Sequence, residues 1–300
     1  MLPETPSTMK VSGFTFLRNA EELCYPYIQS IKSILPICDE FIIALGQSKD
    51  NTQEALTNLR KTEPKIKIIE TVWNNHMQTK GYTYGQQKMI AQFACTGDWL
   101  FYLEGDEIVH EKDLENINKA LHRYKNNPEV EALAFHYYHF YGNINTYIAS
   151  PTWYRYAPRI IKSSVRSYAP DGLYWLVLDS KKSNRVSRYP KAKLLDSHIY
   201  HYGWVRPETA MQKKISQVNK HWGKSEGFDR HYSDIDPQTL KIFQGTHPKI
   251  IDGFFPKTPG IFNANPNHVL TKKEKRQRIK RKLELWFGID LSRKHFKKVK

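Results

Sequence analysis

The amino-acid sequence predicts an α/β protein with a mostly parallel central sheet. Apolar runs rich in β-branched and aromatic residues predict strands at 11–17, 41–45, 66–70 and 99–103. The segments between these runs carry apolar residues at helical spacing and predict helices over 23–34, 53–61 and 85–95. Strands that alternate with helices in this order pair parallel in one sheet, with the helices on both of its faces.

The second half of the chain is less regular. Its predicted elements are a helix at 113–124, strands at 130–141, 153–161 and 173–178, a closing segment at 198–207 and a helix from 208 to about 222. Residues 223–270 contain five prolines and are rich in loops. We expect them to form an ordered lid or packing segment rather than a free linker.

Composition narrows the class of protein. Forty per cent of the 300 residues are hydrophobic, which is enough for a sizeable core, but no apolar run of about 18 residues is available to cross a membrane. Positions 1–10 lack the apolar segment of a secretory signal. Cys24, Cys38 and Cys95 are scattered without metal-type spacing, so we expect free thiols in a reducing cytoplasm.

The formal net charge of +16 is unevenly distributed. Residues 271–300 contain thirteen Lys or Arg and three Asp or Glu, a balance of +10 that leaves +6 for the rest of the chain. Ile279, Leu283, Trp286 and Phe287 recur there at helical spacing. They predict a basic amphipathic helix that either lies on an anionic membrane surface or packs on the body with a solvated basic face.

Three carboxylates follow the strand at 99–103. Glu104, Asp106 and Glu107 lie where ligands bind in open α/β sheets, at the carboxyl end of a strand. Clustered carboxylates repel one another unless a cation lies among them, and Mg²⁺ is held by one or two carboxylates together with substrate phosphates. The stretch therefore predicts a site for a metal and a diphosphate; the alternative is a solvated turn after a core strand.

Four motifs in register resemble the family 2 glycosyltransferases of GT-A fold. They are FLRNAEE at 16–22, CDEFII at 38–43, DNT at 50–52 and GDWLFYLEGDE at 97–107. The resemblance covers about residues 10–125 well and continues more loosely to the segment around His201. It implies a glycosyltransferase domain at 10–222 with a donor half at 10–125 and an acceptor half at 126–222, before the segments 223–270 and 271–300.

The resemblance also implies the chemistry of the site. The donor would be a nucleotide sugar, the acceptor a hydroxyl of a glycan or a lipid-linked molecule, and the cofactor Mn²⁺ or Mg²⁺. The sequence does not specify the base, and we assume a UDP-type donor. Asp106 and His201 would hold the metal, and Glu104 would reach the ribose or a metal-bound water. Glu104 departs from the family's Asp at this position. His198 is three residues before His201, so in an extended strand it would face the opposite side.

Two further roles follow from the resemblance. Asp171 would be the base of an inverting transfer, although the sequence Pro170-Asp171-Gly172 is equally typical of a turn. The remaining donor-binding candidates are Arg18, Asn19, Glu21, Gln47, Asp50, Lys80, Gln87 and Arg159.

Two other functions compete with glycosyl transfer. A nucleic-acid-binding protein would need basic residues over its body and a recognition motif, and the sequence shows neither. A sugar nucleotidyltransferase usually has a Gly-rich loop with Lys or Arg after the first strand, where this chain has Arg18-Asn19-Ala20-Glu21. A cytoplasmic glycosyltransferase, in contact with the inner face of a membrane, is therefore the favoured interpretation.

Overall fold

The computed structural model describes residues 9–179, 186–222 and 231–299. The helices are α1 (Tyr27–Ile34), α2 (Thr52–Thr62), α3 (Tyr82–Phe93), α4 (Leu114–Tyr124), α5 (Glu208–His221) and α6 (Lys272–Phe287). The strands are β1 (Val11–Leu17), β2 (Glu40–Gly46), β3 (Ile66–Thr71), β4 (Trp99–Tyr102), β5 (Glu107–Val109), β6 (Ala132–Tyr141), β7 (Asn143–Ile148), β8 (Tyr156–Lys162), β9 (Ser167–Tyr168), β10 (Leu176–Leu178), β11 (Ser187–Arg188), β12 (Lys191–Trp204), β13 (Leu240–Ile242) and β14 (Lys297–Lys298).

The first half of the sheet is parallel. Strands β3, β2, β1 and β4 lie side by side in that order, and β1 pairs with both β2 and β4. Ile31 of α1, Leu56 of α2 and Ile117 of α4 belong to the apolar core on one face of these strands, and Ala91 of α3 belongs to the core on the other. The predicted alternation of strands and helices is thereby confirmed.

The second half of the sheet is mixed. Strand β8 pairs antiparallel with both β4 and β6, and β6 in turn pairs parallel with the fourteen-residue β12. Strand β12 also receives the short β5 and β14, while β7 and β13 continue the sheet beyond β6. Strands β9, β10 and β11 form a separate small sheet. The acidic turn after β4 and the C-terminal part of β12 are thus brought together through β5.

Several predicted boundaries differ from the structure. Helix α1 begins at Tyr27 rather than near 23, because Pro26 occupies the position before it. Only 176–178 of the strand predicted at 173–178 is extended, and β12 begins at 191, well before the predicted 198. Glu107 does not continue the turn after β4 but begins β5.

The basic segment at 271–300 does not remain apart from the body. After α6 the chain returns to the sheet, where Phe296 is buried and β14 pairs with the start of β12. Within the described residues, none of the helices combines the length and the apolar character that a membrane crossing requires. Of the predicted lid at 223–270, positions 223–230 lie outside the described residues.

Glu40, the first residue of β2, joins the edges of three strands. Its carboxylate accepts hydrogen bonds from Ser12 Oγ at 2.7 Å, from the backbone N and Oγ1 of Thr96 at 2.6 and 2.8 Å, and from Lys67 Nζ at 2.7 Å. Burial alone would raise the pKa of Glu40, but these donors outweigh it and lower the pKa to about 2. The charged form of this carboxylate therefore stabilises the fold at neutral pH.

We expect Glu40→Gln to lower the free energy of unfolding at neutral pH by about 1.5–3 kcal/mol, because an amide cannot satisfy all of these donors. The pKa of Glu40 is lower in the folded state, so its contribution is complete above about pH 5 and is lost as the pH falls towards 2. Urea unfolding should therefore separate wild type and variant at pH 7, and less so at about pH 3. A separation that is independent of pH would contradict this account.

Candidate active site

A cavity of about 580 Å³ opens where β1, β4 and β12 meet α5. Its wall includes Leu17 and Arg18 at the end of β1, the acidic turn after β4, and the end of β12. Helix α5 closes one side with Lys214 and His221. The cavity therefore lies at the carboxyl ends of parallel strands, where open α/β sheets bind their ligands.

The three carboxylates after β4 point in different directions. Glu107 is completely buried and turns into the core, where Arg159 Nε and Nη2 donate to its two oxygens at 2.7 and 2.6 Å. Tyr137 Oη also donates to Glu107, at 2.9 Å. Glu104 and Asp106 instead line the cavity, and Asp106 is only 3% exposed. The stretch is therefore a buried charge cluster and not a solvated turn.

Glu104 is the most solvent-exposed of the three carboxylates after β4. Its side chain is 24% exposed, and Arg159 Nη2 donates to it at 3.1 Å. Burial and the neighbouring charge of Glu107 raise the pKa of Glu104 to about 8, although Arg159 acts in the opposite direction. Glu104 therefore keeps its proton more readily than an ordinary glutamate, and its carboxyl group faces the cavity.

Asp106 is held by two cations on one oxygen. Lys214 Nζ donates to Oδ2 at 2.9 Å, and Arg206 Nη2 lies 3.4 Å from the same atom. Burial alone would raise the pKa of Asp106, but these cations hold it well below its usual range. In return, burial and the charge of Arg206 lower the pKa of Lys214 to about 8. Asp106 is therefore ionised, with its Oδ1 left towards His201.

The hydrogen bond between His139 and His201 determines which ring nitrogen of His201 carries the proton. Burial lowers the pKa of His139 to about 4 and that of His201 well below 6.5, so both rings are neutral. His139 Nε2 lies 2.8 Å from the carbonyl of Tyr154, which can only accept, so the single proton of His139 is on Nε2. His139 Nδ1 then accepts from His201 Nδ1 at 2.9 Å, and Nε2 of His201 keeps its lone pair.

Two acceptor atoms therefore face each other across the site. His201 Nε2 and Asp106 Oδ1 are 3.6 Å apart, with no proton between them in these ionisation states. A neutral imidazole whose other N–H is donated away, next to a carboxylate oxygen, is a suitable donor set for Mn²⁺. Within the described part of the chain no three acidic, His or Cys side chains are arranged so that they could hold a metal ion, so a metal here would need phosphate or water oxygens as further ligands.

Gly203 keeps this site open. A Cβ atom at this position would lie 2.4 Å from His201 Nε2 and 2.8 Å from Asp106 Oδ2. Any larger residue would therefore displace the imidazole or fill the space between the two acceptors. The geometry of the pair depends on a glycine two residues after the histidine.

Two of the predicted donor-binding residues besides Glu104 line the cavity. The guanidinium of Arg18 lies 5.2 Å from the ring centre of Trp73 and donates to the carbonyl of Gln47 at 3.1 Å. Asn19 has a positive φ of 50°, which turns the chain at the end of β1, and its Oδ1 accepts from Lys49 N at 2.8 Å. Both residues are therefore fixed at the cavity wall by contacts with the loop after β2.

The other candidates do not line the cavity. Glu21 accepts from Tyr27 Oη, Asp50 accepts from the backbone N of Glu22, and Gln87 bonds to Thr71 on β3. The remaining three are exposed Gln47, exposed Lys80 with a φ of 45°, and fully buried Arg159. The hydrogen bonds described here join these residues to other parts of the protein. Their contacts with a donor therefore stay predictions.

Asp171 lies next to the cavity but not in its wall. It is 7% exposed, and its Oδ1 accepts from Leu173 N at 2.8 Å, which is the turn that the sequence offered as the alternative to a catalytic role. Gly172 and Leu173 do line the cavity. The role of Asp171 as the base stays a prediction. His198, as expected, faces the other side of β12 and lines a second cavity.

Sequence reasoning missed several residues at the site. Lys214, Arg206 and His139 come from α5, the end of β12 and β6, which meet the acidic turn only in the folded chain. Trp73 and Tyr84 form an aromatic wall near Arg18, with ring centres 5.6 Å apart. Arg206 is only five residues after His201, so the motif around His201 could have indicated it. The sequence around the other missed residues contains no motif that indicates a site.

The family follows from the sequence profile. The profile of Glycosyl transferase family 2 matches residues 16–172, which is more than half of the chain. The chain is a family 2 glycosyltransferase. The matched segment of this glycosyltransferase contains Glu104, Asp106, Arg159 and Asp171, whereas His201 and Lys214 lie beyond it. The parallel first half of the sheet, with helices on both faces, agrees with the GT-A-like architecture that the resemblance implied.

Comparison with solved structures gives similar proteins at low identity. Residues 1–349 of TarS from S. aureus share 12% identity, over 75% of this chain and 69% of that chain, with a TM-score of 0.38. The mannosyltransferase PcManGT from Pyrobaculum calidifontis, in complex with GDP-Man and Mn²⁺, shares 16% over 45% and 37%, with a TM-score of 0.33. Glucosyl-3-phosphoglycerate synthase from Mycobacterium tuberculosis, in complex with Mn²⁺, UDP and phosphoglyceric acid, shares 16% over 44% and 44%, with a TM-score of 0.30.

A comparison with curated proteins finds no match. The assignment of this glycosyltransferase to its family therefore rests on the sequence profile.

We expect Gly203→Ala to break the hydrogen bond between His139 and His201, because the new Cβ would collide with the imidazole of His201. ¹⁵N-resolved NMR of the histidine side chains should show exchange-protected ring N–H groups for both His139 and His201 in the wild type and lose that of His201 in the variant. Gly172→Ala is the matched control, since its Cβ would meet nothing closer than 3.4 Å in the same cavity. Retention of both signals in Gly203→Ala would contradict the geometry described here.

Proposed function

We propose that this glycosyltransferase transfers a sugar from a UDP-type nucleotide donor to a hydroxyl of a glycan or lipid-linked acceptor, with inversion and with a divalent cation. The observation that carries the proposal is the pair of acceptors at the floor of the cavity, Asp106 Oδ1 and His201 Nε2, 3.6 Å apart. Two acceptors at this distance, one of them buried and charged, leave a position that suits a cation.

Asp106 and His201 would hold the cation, either Mn²⁺ or Mg²⁺. When bound, it would offset the negative charge that develops on the departing diphosphate. Lys214 and Arg18, which also line the cavity, would add positive charge near the phosphates. PcManGT and glucosyl-3-phosphoglycerate synthase are both described in complex with Mn²⁺.

The donor base would lie at the aromatic end of the cavity. Trp73 and Tyr84 offer flat apolar surfaces on which a base can stack, and the carboxylate of Glu104 would accept from a ribose hydroxyl. Asn19 and Arg18 would contact the nucleotide between these two ends. The choice of a UDP-type donor is an assumption that the binding experiment below tests.

The acceptor hydroxyl attacks the anomeric carbon of the donor as the bond from that carbon to the diphosphate oxygen breaks. One carboxylate takes the proton of the hydroxyl, and the nucleoside diphosphate leaves with the bonding electrons. We propose Asp171 as this base, because burial raises the pKa of its carboxyl and the residues that follow it line the cavity. Glu104 is the competing carboxylate.

We place this reaction in the cytoplasm. Cys24, Cys38 and Cys95 are all free thiols, which supports a reducing compartment.

Asp106→Asn tests the metal site. The neutral amide should weaken Mn²⁺-dependent binding of UDP at least tenfold and abolish turnover of a UDP-sugar, because removal of a metal ligand costs more than the roughly 10–100-fold effect of an outer-shell partner. Titration calorimetry with UDP in the presence and absence of Mn²⁺ is the measurement. Asp196→Asn, an exposed position on β12, is the matched control. Undiminished Mn²⁺-dependent affinity in Asp106→Asn would remove the proposed role.

Asp171→Asn tests the base. Transfer to an acceptor should fall by about 10²–10⁴-fold while UDP affinity stays within twofold of wild type, because the base acts only on the acceptor hydroxyl. The rate of sugar transfer under single-turnover conditions, with a panel of UDP-sugars, measures the effect. If Asp171→Asn transfers at the wild-type rate and Glu104→Gln does not, Glu104 takes the role instead.

A further inference from the structure

Helix α6 packs on the protein with its polar side. Glu274 and Gln277 are buried, and Glu284 accepts from Arg155 Nη1 and Nη2 at 2.9 and 2.7 Å. Arg278 donates to both oxygens of Asp236 at 2.8 Å, and Gln277 donates to Thr152. Glu274 also forms a capping box with Thr271 at the start of the helix. Polar contacts therefore fix the orientation of this helix on the body.

The apolar side chains of the helix are left outside. Ile279, Trp286 and Phe287 are 60%, 76% and 67% exposed, and Leu285 and Ile289 beside them are 75% and 48% exposed. A helix that only packs on a core buries such residues and exposes its charges. Of the predicted apolar stripe, Leu283 is half-buried, and Ile279, Trp286 and Phe287 are exposed to solvent. The helix thus packs on the body with a solvated basic face, as one of the two alternatives expected, and most of its large apolar residues are exposed as well.

The outward side is also strongly basic. Helix α6 contains eight Lys or Arg and two Glu. Arg278, Arg281 and both Glu bond to the body, and the other six cations are exposed. Lys275, Ile279, Lys282 and Trp286 follow one another at spacings of four, three and four residues, so they share the outward side. An outward stripe of cations that ends in a group of large apolar residues fits the boundary between anionic headgroups and acyl chains.

We propose that this outward surface, formed by α6 and residues 288–289, docks on an anionic lipid bilayer. The cations would lie among the headgroups, and Trp286, Phe287, Leu285 and Ile289 would enter the acyl boundary. Apolar residues without nearby cations would fit a second copy of the chain equally well, and cations without apolar residues would fit nucleic acid. The combination on one surface favours the bilayer.

A second cavity continues this surface. It has a volume of about 460 Å³, and Leu285 and Ile289 form part of its rim. Lys241 and Arg281 contribute positive charge to its wall, beside the rings of Tyr138 and Tyr156. The space is large enough for a lipid headgroup next to the inserted side chains. The cavity therefore extends the basic surface from the helix to the sheet.

Vesicle flotation of the full chain tests the proposal. The protein should bind vesicles of phosphatidylcholine with phosphatidylserine, bind pure phosphatidylcholine much less, and lose binding as salt is raised. Lys275→Gln/Lys282→Gln should weaken binding roughly 25-fold, at about fivefold for each charge. Trp286→Gln/Phe287→Gln should weaken it by at least about tenfold. All four positions are exposed, so thermal unfolding should be unchanged.

Matched controls use exposed residues elsewhere. Arg60→Gln/Lys61→Gln on α2 removes the same charge, and Val72→Gln/Phe93→Gln removes side chains that are 71% and 67% exposed. Neither control should alter vesicle binding. Point variants are preferable to deletion of 271–300, because that deletion would also remove β14 and the buried Phe296.

Failure to bind anionic vesicles, or binding that both helix variants retain, would overturn the proposal. So would a dimer in solution that Trp286→Gln/Phe287→Gln dissociates, or a preference for RNA over anionic vesicles that Lys275→Gln/Lys282→Gln abolishes. The calorimetric titration with UDP and Mn²⁺ reports on the catalytic proposal separately and should be unchanged in these variants.

Discussion

The site depends on the buried ion pairs that the guanidinium of Arg159 forms with Glu107 and Glu104. This guanidinium is completely buried, binds Glu107 through two hydrogen bonds and Glu104 through a third, and donates to the carbonyl of Leu173 at 2.8 Å. Without this cation two carboxylates would face each other in a poorly solvated space, and loss of one partner of such a cluster typically costs about 3–5 kcal/mol. Arg159 thus orients the turn that carries Glu104 and Asp106 and also holds the segment after Asp171.

Strand β12 brings the halves of the protein to the same point. Its pairing with β5 places His201 opposite Glu107, one residue beyond Asp106, and its pairing with β6 places it beside His139. His139 Nε2 donates to the carbonyl of Tyr154, and His139 Nδ1 accepts from His201 Nδ1. The lone pair of His201 Nε2 then faces Asp106. If His201 binds a cation as proposed, its ring is already held in the orientation that this role would need, so little conformational freedom would be lost on binding.

The sequence was sufficient for the parallel half of the sheet, because its strands are continuous apolar runs and its helices have clear spacing. It also singled out Asp106 and His201 through motifs with local signals, and the structure places their side chains 3.6 Å apart, while their role as metal ligands stays a prediction. It did not distinguish Glu107, which looks like its acidic neighbours but faces the core, since a three-residue strand leaves no pattern. Lys214 and His139 were beyond reach for another reason: their roles arise from contacts between segments that are distant in the chain.

The pairing of β14 with β12 has a consequence for synthesis. Lys297 and Lys298 of β14 pair with Lys191 and Ala192 at the start of β12. The ribosome must therefore translate more than a hundred codons after position 191 before this pairing can form. Until then the start of β12 presents unpaired backbone groups, which are templates for wrong association with other chains. We therefore expect the nascent polypeptide to need protection during this interval, and its yield in cells to depend on chaperone supply.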